Sequence, residues 1–96
     1  MLEIENTWSD WADFNENTIS DIPQSAGVYM MHASMKILVI EGASNIKKSV
    51  IEKLSFPCIT NNTRLRYMET SSYEKMAEIL IKNYKNRHEG NLPSCM

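Results

Sequence analysis

The 96-residue sequence lacks the features that mark several protein classes. Its three glycines form no phosphate-binding loop, and no serine stands in a nucleophile elbow. No apolar run approaches the ~20 residues of a membrane-spanning helix. The two cysteines, Cys58 and Cys95, cannot form a zinc site by themselves, and the acidic N-terminus lacks the regions of a secretory signal. One disulfide between the two cysteines is conceivable, but without a secretory signal we expect a cytoplasmic protein with free thiols.

Basic residues are missing from the first third of the chain. Residues 1–35 contain six acidic residues and no Lys or Arg, which gives a formal charge of −6. Residues 36–96 contain all ten basic residues against six acidic ones, which gives +4. Anionic partners respond to the local field more than to the net charge. The pattern predicts a basic body behind an acidic N-terminal segment.

An apolar stretch organises the rest of the chain. Residues 27–32 and 36–41 are nearly continuous apolar runs joined by a short polar turn. Because successive side chains of a strand point to opposite faces, such runs predict a hairpin that is covered on both sides. Gly27 and Gly42 bracket the hairpin, where we expect a sharp turn or a close backbone approach.

Helical spacing recurs on both sides of this hairpin. Trp8, Trp11 and Phe14 recur every three residues, which predicts a short N-terminal helix. After Gly42, apolar residues at helical spacing over residues 46–54 predict a second helix. Ser71-Ser72-Tyr73-Glu74 is a capping box, and the apolar stripe after it predicts a long helix.

The fold prediction follows from the order of these elements. Residues 63–70 alternate as a third strand, with Leu65 and Tyr67 on one face and Arg64, Arg66 and Met68 on the other. We predict an α+β domain at residues 22–96, a small three-stranded antiparallel sheet flanked by helices, after an acidic segment at residues 1–21. The predicted core is Val28, Met30, Ile37, Leu38, Val39, Ile46, Val50, Ile51, Leu65, Tyr67, Met76, Leu80 and Ile81.

The residues alone offer few chemical candidates. The ionisable ones are Tyr29, Glu41, Glu69 and Glu78. Two carboxylates at strand ends could hold a divalent cation, although strand-end glutamates are more often simply solvated. Arg64 and Arg66 on one strand face suit a phosphate backbone, and the alternative is an ordinary solvated edge strand.

Two tripeptides add a family resemblance. Gly-Val-Tyr at residues 27–29 and Ile-Glu-Gly at residues 40–42, followed by the turn at residues 43–48, resemble the start of a GIY-YIG nuclease domain. The closing helix and its terminal Leu-Pro are also similar to that family, and the likeness spans residues 22–96. It implies the same α+β order and a nucleic-acid substrate.

The functional positions of that family are mostly substituted here. Tyr29 matches the first tyrosine, but Ile40 stands at the second. The phosphate-binding arginine falls on Ser49, beside Lys48, and the metal-binding glutamate falls next to Glu78. The resemblance therefore implies a catalytically degenerate domain, because losing a metal ligand or a cation costs orders of magnitude in rate.

Three functions stay open at this point. The first is a degenerate nuclease-like domain that binds nucleic acid or assists a nucleic-acid-processing protein partner, with no cofactor. The second is an active endonuclease that requires Mg²⁺ or Mn²⁺. The third is a protein-interaction module without a nucleic-acid role, and none of the three involves a membrane. The candidate catalytic residues are Tyr29, Glu78, Lys48 and Ser49. The candidate nucleic-acid contacts are Lys47, Lys48, Arg64 and Arg66, and any metal would bind Glu78 or Glu41.

Overall fold

A four-stranded antiparallel sheet carries three helices. The computed structural model describes residues 8–60 and 62–96. The strands are β1 (Ala12–Asp13), β2 (Gly27–Ala33), β3 (Lys36–Ala43) and β4 (Arg64–Glu69). The helices are α1 (Glu16–Asp21), α2 (Ile46–Glu52), which continues into a 3-10 turn at Lys53–Ser55, and α3 (Tyr73–Arg87). The strand order is β1-β4-β2-β3, so the α+β prediction is confirmed with one strand more than expected.

The predicted hairpin is β2 and β3, and β2 also pairs with β4. Ser34 and Met35 form its two-residue turn, and both have a positive φ, as the twist of such hairpins requires. A Cβ at Gly42 would lie 2.6 Å from the carbonyl oxygen of Tyr73 in α3, and one at Gly27 would collide with the carbonyl oxygen of Met68. The close approach predicted at both glycines is therefore confirmed.

The predicted N-terminal helix is displaced. Residues 12 and 13 form β1 and pair with Leu65 and Arg64 of β4. The helix comes later, as α1, where the Asn15 side chain accepts a hydrogen bond from the backbone N–H of Thr18 at 2.9 Å. The three-residue spacing of the aromatic residues predicted a helix at residues 8–14, and this prediction is wrong because pairing with β4 holds part of this segment in a strand. Residues 1–7 of the predicted acidic segment lie outside the described residues.

The core has two parts, one on each face of the sheet. The face under α1 and α2 buries Ile19, Ile22, Tyr29, Met31, Leu38, Val39, Ile46, Val50 and Leu65. The face under α3 buries Val28, Met68 and Ala77, with Trp8, Tyr73, Met76 and Leu80 partly buried against them. The prediction that Ile51 belongs to the core is wrong, since 45% of this residue is exposed. The predicted core residues of α3, Met76, Leu80 and Ile81, are half-buried, and a cleft opens beside Leu80 between the helix and the sheet.

The prediction of free thiols is wrong. Cys58 and Cys95 form a disulfide, with Cα atoms 5.9 Å apart. The C-terminal tail returns along the edge of β3, where the N–H of Cys95 donates to the carbonyl of Leu38 at 2.8 Å. This return, which the local sequence does not encode, brings Cys95 to the loop that carries Cys58. Within the described residues, no helix is long and apolar enough to span a membrane.

Candidate functional site

The predicted catalytic residue Tyr29 belongs to a polar network inside the core. Its side chain leaves β2 toward α2 and is fully buried. The Tyr29 hydroxyl lies 2.7 Å from Oγ of Ser49, and that Oγ donates to Oε2 of Glu41 at 3.0 Å. One helical turn after Ser49, Nζ of Lys53 lies 2.8 Å from Oε1 of Glu41. We call Tyr29, Ser49, Glu41 and Lys53 the buried network.

Protonation states in the buried network follow from burial and pairing. Burial raises the pKa of Tyr29, while its hydrogen bond to Ser49 acts in the opposite direction without cancelling the effect. Burial alone would lower the pKa of Lys53, but the hydrogen bond to Glu41 and the proximity of Tyr29 leave it raised. At neutral pH the phenol is therefore protonated and the lysine is charged. Because the Ser49 hydroxyl donates its hydrogen bond to Glu41, the Tyr29 hydroxyl is the donor in the hydrogen bond between Tyr29 and Ser49.

The remaining predicted catalytic residues are not brought to Tyr29. Lys48 is exposed on α2, whose first turn is capped by Asn45. Glu78 is exposed on α3, which covers the opposite face of the sheet from Tyr29. Glu41, the other predicted metal ligand, is already paired with Lys53. Among residues 8–60 and 62–96, no three His, Cys, Asp or Glu side chains cluster as metal ligands.

The predicted nucleic-acid contacts are divided between the two faces. Lys47 and Lys48 lie on α2, and Nζ of Lys47 reaches the carbonyl oxygen of Ser20 at 3.4 Å. Arg64 and Arg66 lie on β4, where Arg64 forms an exposed ion pair with Asp13 at 3.5 Å. These four residues therefore do not form one continuous surface.

Arg66 is held between two indole rings. Its guanidinium carbon lies 4.5 Å from the ring centre of Trp8 and 4.8 Å from that of Trp11. Trp11 also meets His32 edge-on, with ring centres 4.0 Å apart. We call Trp8, Trp11 and Arg66 the aromatic clamp. Such cation–π contacts fix the position of a guanidinium without neutralising its charge.

A cleft of about 350 Å³ opens between the sheet and the C-terminal half of α3. Four apolar side chains and a set of polar ones line it: Met30, Ile37, Ile40, Leu80, Arg66, Asn83, Tyr84, Arg87 and His88. Two guanidinium groups, those of Arg66 and Arg87, thus line one space, and no carboxylate of residues 8–60 or 62–96 is part of its wall. We call this space the sheet–α3 cleft. It has the lining expected for an anion with an apolar body.

The outer side of α3 carries further positive charge. Lys75, Lys82 and Lys85 are exposed there, at spacings that place them on one side of the helix. Glu78 lies on the same side and lines a surface hollow together with Lys82 and Lys85, so three positive charges stand against one negative charge. Within the described part of the chain, no carboxylate lies within 4 Å of their amines. We call these three lysines the basic side of α3.

Sequence reasoning missed the sheet–α3 cleft and the aromatic clamp. One signal was present, because Arg87 follows Leu80 by seven residues and so lies on the same side of α3. The contact of Trp8 and Trp11 with Arg66 has no comparable signal in the sequence, since both rings reach Arg66 only when β1 pairs with β4.

Comparisons with known proteins identify one family. The model of a family described as a domain of unknown function (DUF7508) matches residues 6–87. No curated protein and no solved structure matches the chain. The assignment to the GIY-YIG nucleases is therefore wrong, because the family that matches is a different one. The two tripeptides that suggested it are strand residues, and short apolar strand motifs recur in unrelated sheets.

Proposed function

We propose that this chain, which belongs to the DUF7508 family of domains of unknown function, binds nucleic acid through the basic side of α3. The observation that carries the proposal is the exposure of Lys75, Lys82 and Lys85 without a carboxylate partner among the described residues. Unpaired cations along one side of a helix neutralise phosphates and release their counterions, which drives binding.

The neighbouring charges favour α3, rather than α2, as the nucleic-acid-binding surface. Arg87 extends the positive charge of α3 into the sheet–α3 cleft, and Arg66 faces it from β4. On α2, Lys47 is half-buried and close to a backbone carbonyl, so only Lys48 is fully available. The phosphate backbone therefore has more unpaired positive charge to meet at α3 than at α2.

The hydrolytic alternative has less support. A metal-dependent endonuclease needs a metal, an oriented water and charge stabilisation in one place. Glu78 lies across the sheet from Tyr29, and Glu41 is paired with Lys53. We therefore propose binding without cleavage.

The test compares two matched pairs of lysines. Binding of fluorescent single-stranded and duplex oligonucleotides is measured by polarisation at several salt concentrations. We expect Lys82→Gln/Lys85→Gln to weaken binding about fivefold and to reduce the salt slope by about 1.5, because two phosphate contacts are lost. Lys47→Gln/Lys48→Gln removes the same charge from α2 and should change affinity much less. The absence of salt-sensitive binding by the wild type, or a larger loss in the α2 variant, contradicts the proposal.

A further inference from the structure

Arg66 is positioned for an anion that its described neighbours do not supply. The aromatic clamp holds its guanidinium, but the contact of Nη2 with the Met30 sulfur at 3.9 Å is a weak hydrogen bond. Its Nε is buried and has no partner within the described residues. The guanidinium is thus only partly satisfied by its described neighbours, and because Arg66 lines the cleft, an acceptor placed there would be favourable.

The sheet–α3 cleft provides room for such an acceptor. At about 350 Å³ it lies at the small end of the size range of ligand pockets. Arg87 and Arg66 both line this cleft, and its apolar lining includes Met30, Ile40 and Leu80. Two guanidinium groups match the oxygens of a phosphate in bidentate geometry, and the apolar lining suits a flat aromatic ring.

We infer that the sheet–α3 cleft receives one unpaired nucleotide, with its phosphate between Arg66 and Arg87 and its base on the apolar lining. This inference rests on the proposed function and makes it more specific. Lys82 and Arg87 are about 7.5 Å apart along α3 and about 140° apart around it, so a strand on the basic side reaches the cleft by passing around the helix near its C-terminal end. A paired base would first have to leave its stack, so the domain prefers single-stranded nucleic acid.

The chain carries its own reporter for this site. Trp8 and Trp11 are its only tryptophans, and both contact Arg66. Their fluorescence is followed while the full chain is titrated with adenosine 5′-monophosphate, uridine 5′-monophosphate, inorganic phosphate and octanoate. We expect a saturable change with both nucleotides, and at least about tenfold weaker responses to phosphate and octanoate, since each satisfies only half of the site.

Two variants that each remove one exposed positive charge provide the matched comparison. Arg87→Gln should weaken nucleotide binding about tenfold, because it removes one bidentate contact to the phosphate. Lys36→Gln removes the same charge from the exposed start of β3, outside the lining of the cleft, and should change nucleotide binding less than about twofold. Arg87 is exposed, and a circular dichroism melt of each variant confirms that it is folded.

The outcomes separate the inference from the proposed function. Equal binding of single strands and duplexes, with no response to mononucleotides, overturns the inference and leaves the proposed function standing. A nucleotide response without oligonucleotide binding supports the cleft and overturns the proposed function. Octanoate or inorganic phosphate binding as tightly as a nucleotide overturns the inference.

Discussion

In the buried network, the ion pair with Glu41 compensates for the burial of the Lys53 charge in the core. Lys53 is 5% exposed, and its amine meets the Glu41 carboxylate, while the rings of Tyr29 and Phe56 lie near it. Glu41 also accepts a hydrogen bond from the Ser49 hydroxyl. Removing the carboxylate would therefore leave a buried cation and a hydroxyl without their acceptor, which costs more than the pair itself contributes.

We expect Glu41→Ala to lower the free energy of unfolding by about 1–3 kcal/mol. The estimate stays below that for a fully buried pair because 38% of the Glu41 side chain is exposed to solvent. Urea denaturation at pH 7 measures the change. Glu52→Ala, which removes an exposed carboxylate from α2, is the control and should cost less than about 0.5 kcal/mol. Equal effects of the two substitutions would contradict the role of the network.

The alkaline stability of the protein should also depend on this network. The pKa values of Tyr29 and Lys53 are both raised in the folded state, so their contribution is complete below about pH 10 and is lost as the pH rises through the folded values. Tyr29→Phe removes one of the two groups. We expect its unfolding free energy to fall less steeply than that of the wild type between pH 10 and 11, and parallel curves would contradict the assignment.

At the scale of elements, the contact between β3 and α3 depends on one glycine. Gly42 lets the first turn of α3 approach the strand, and an added Cβ would lie 2.6 Å from the Tyr73 carbonyl oxygen and 3.2 Å from Cβ of Ala77. Farther along α3 the apolar contact gives way to the sheet–α3 cleft. The first turn thus positions the helix, and its last turns, which carry Arg87, line the cleft.

Gly42→Ala should lower the free energy of unfolding by about 1–3 kcal/mol, because backbone must move to relieve the overlap. The displaced helix should also alter the sheet–α3 cleft. Thermal melts and the tryptophan titration described above measure both effects. Ser44→Ala, at an exposed position two residues later, is the control, and a Gly42→Ala protein as stable as that control would contradict the close approach.

At the scale of the whole molecule, the disulfide joins distant parts of the chain. Cys58 and Cys95 are separated by 37 positions, and the tail between α3 and Cys95 lies against the edge of β3. Pro93 of that tail is buried. The disulfide closes a long loop, and it also anchors the tail that covers the outer edge of the sheet.

Reduction of this disulfide should lower the free energy of unfolding by about 2–4 kcal/mol, because a closed loop of this length restricts the unfolded chain. Urea denaturation with and without a thiol reductant measures the difference. Cys58→Ser/Cys95→Ser should match the reduced wild type and should not respond to reductant. Identical curves for the oxidised and reduced wild type would contradict the prediction.

Much of the fold could be predicted because its signals are local. The β2–β3 hairpin, the alternation of Leu65 and Tyr67 with Arg66, and the position of α3 follow from the spacing of residues close together in the chain. Strand and helix periods act over a few residues, so a sequence can specify them without knowledge of the rest of the molecule.

The candidate sites were decided by tertiary structure. Tyr29 and Glu41 were both recognised as ionisable candidates, but their connection through Ser49 and Lys53 exists only where α2 packs on the sheet. The aromatic clamp likewise needs β1 to pair with β4, some 50 positions away along the chain. Such contacts depend on which elements meet in space, and the cost of closing a long loop grows so slowly with length that local sequence does not single out one distant partner from another.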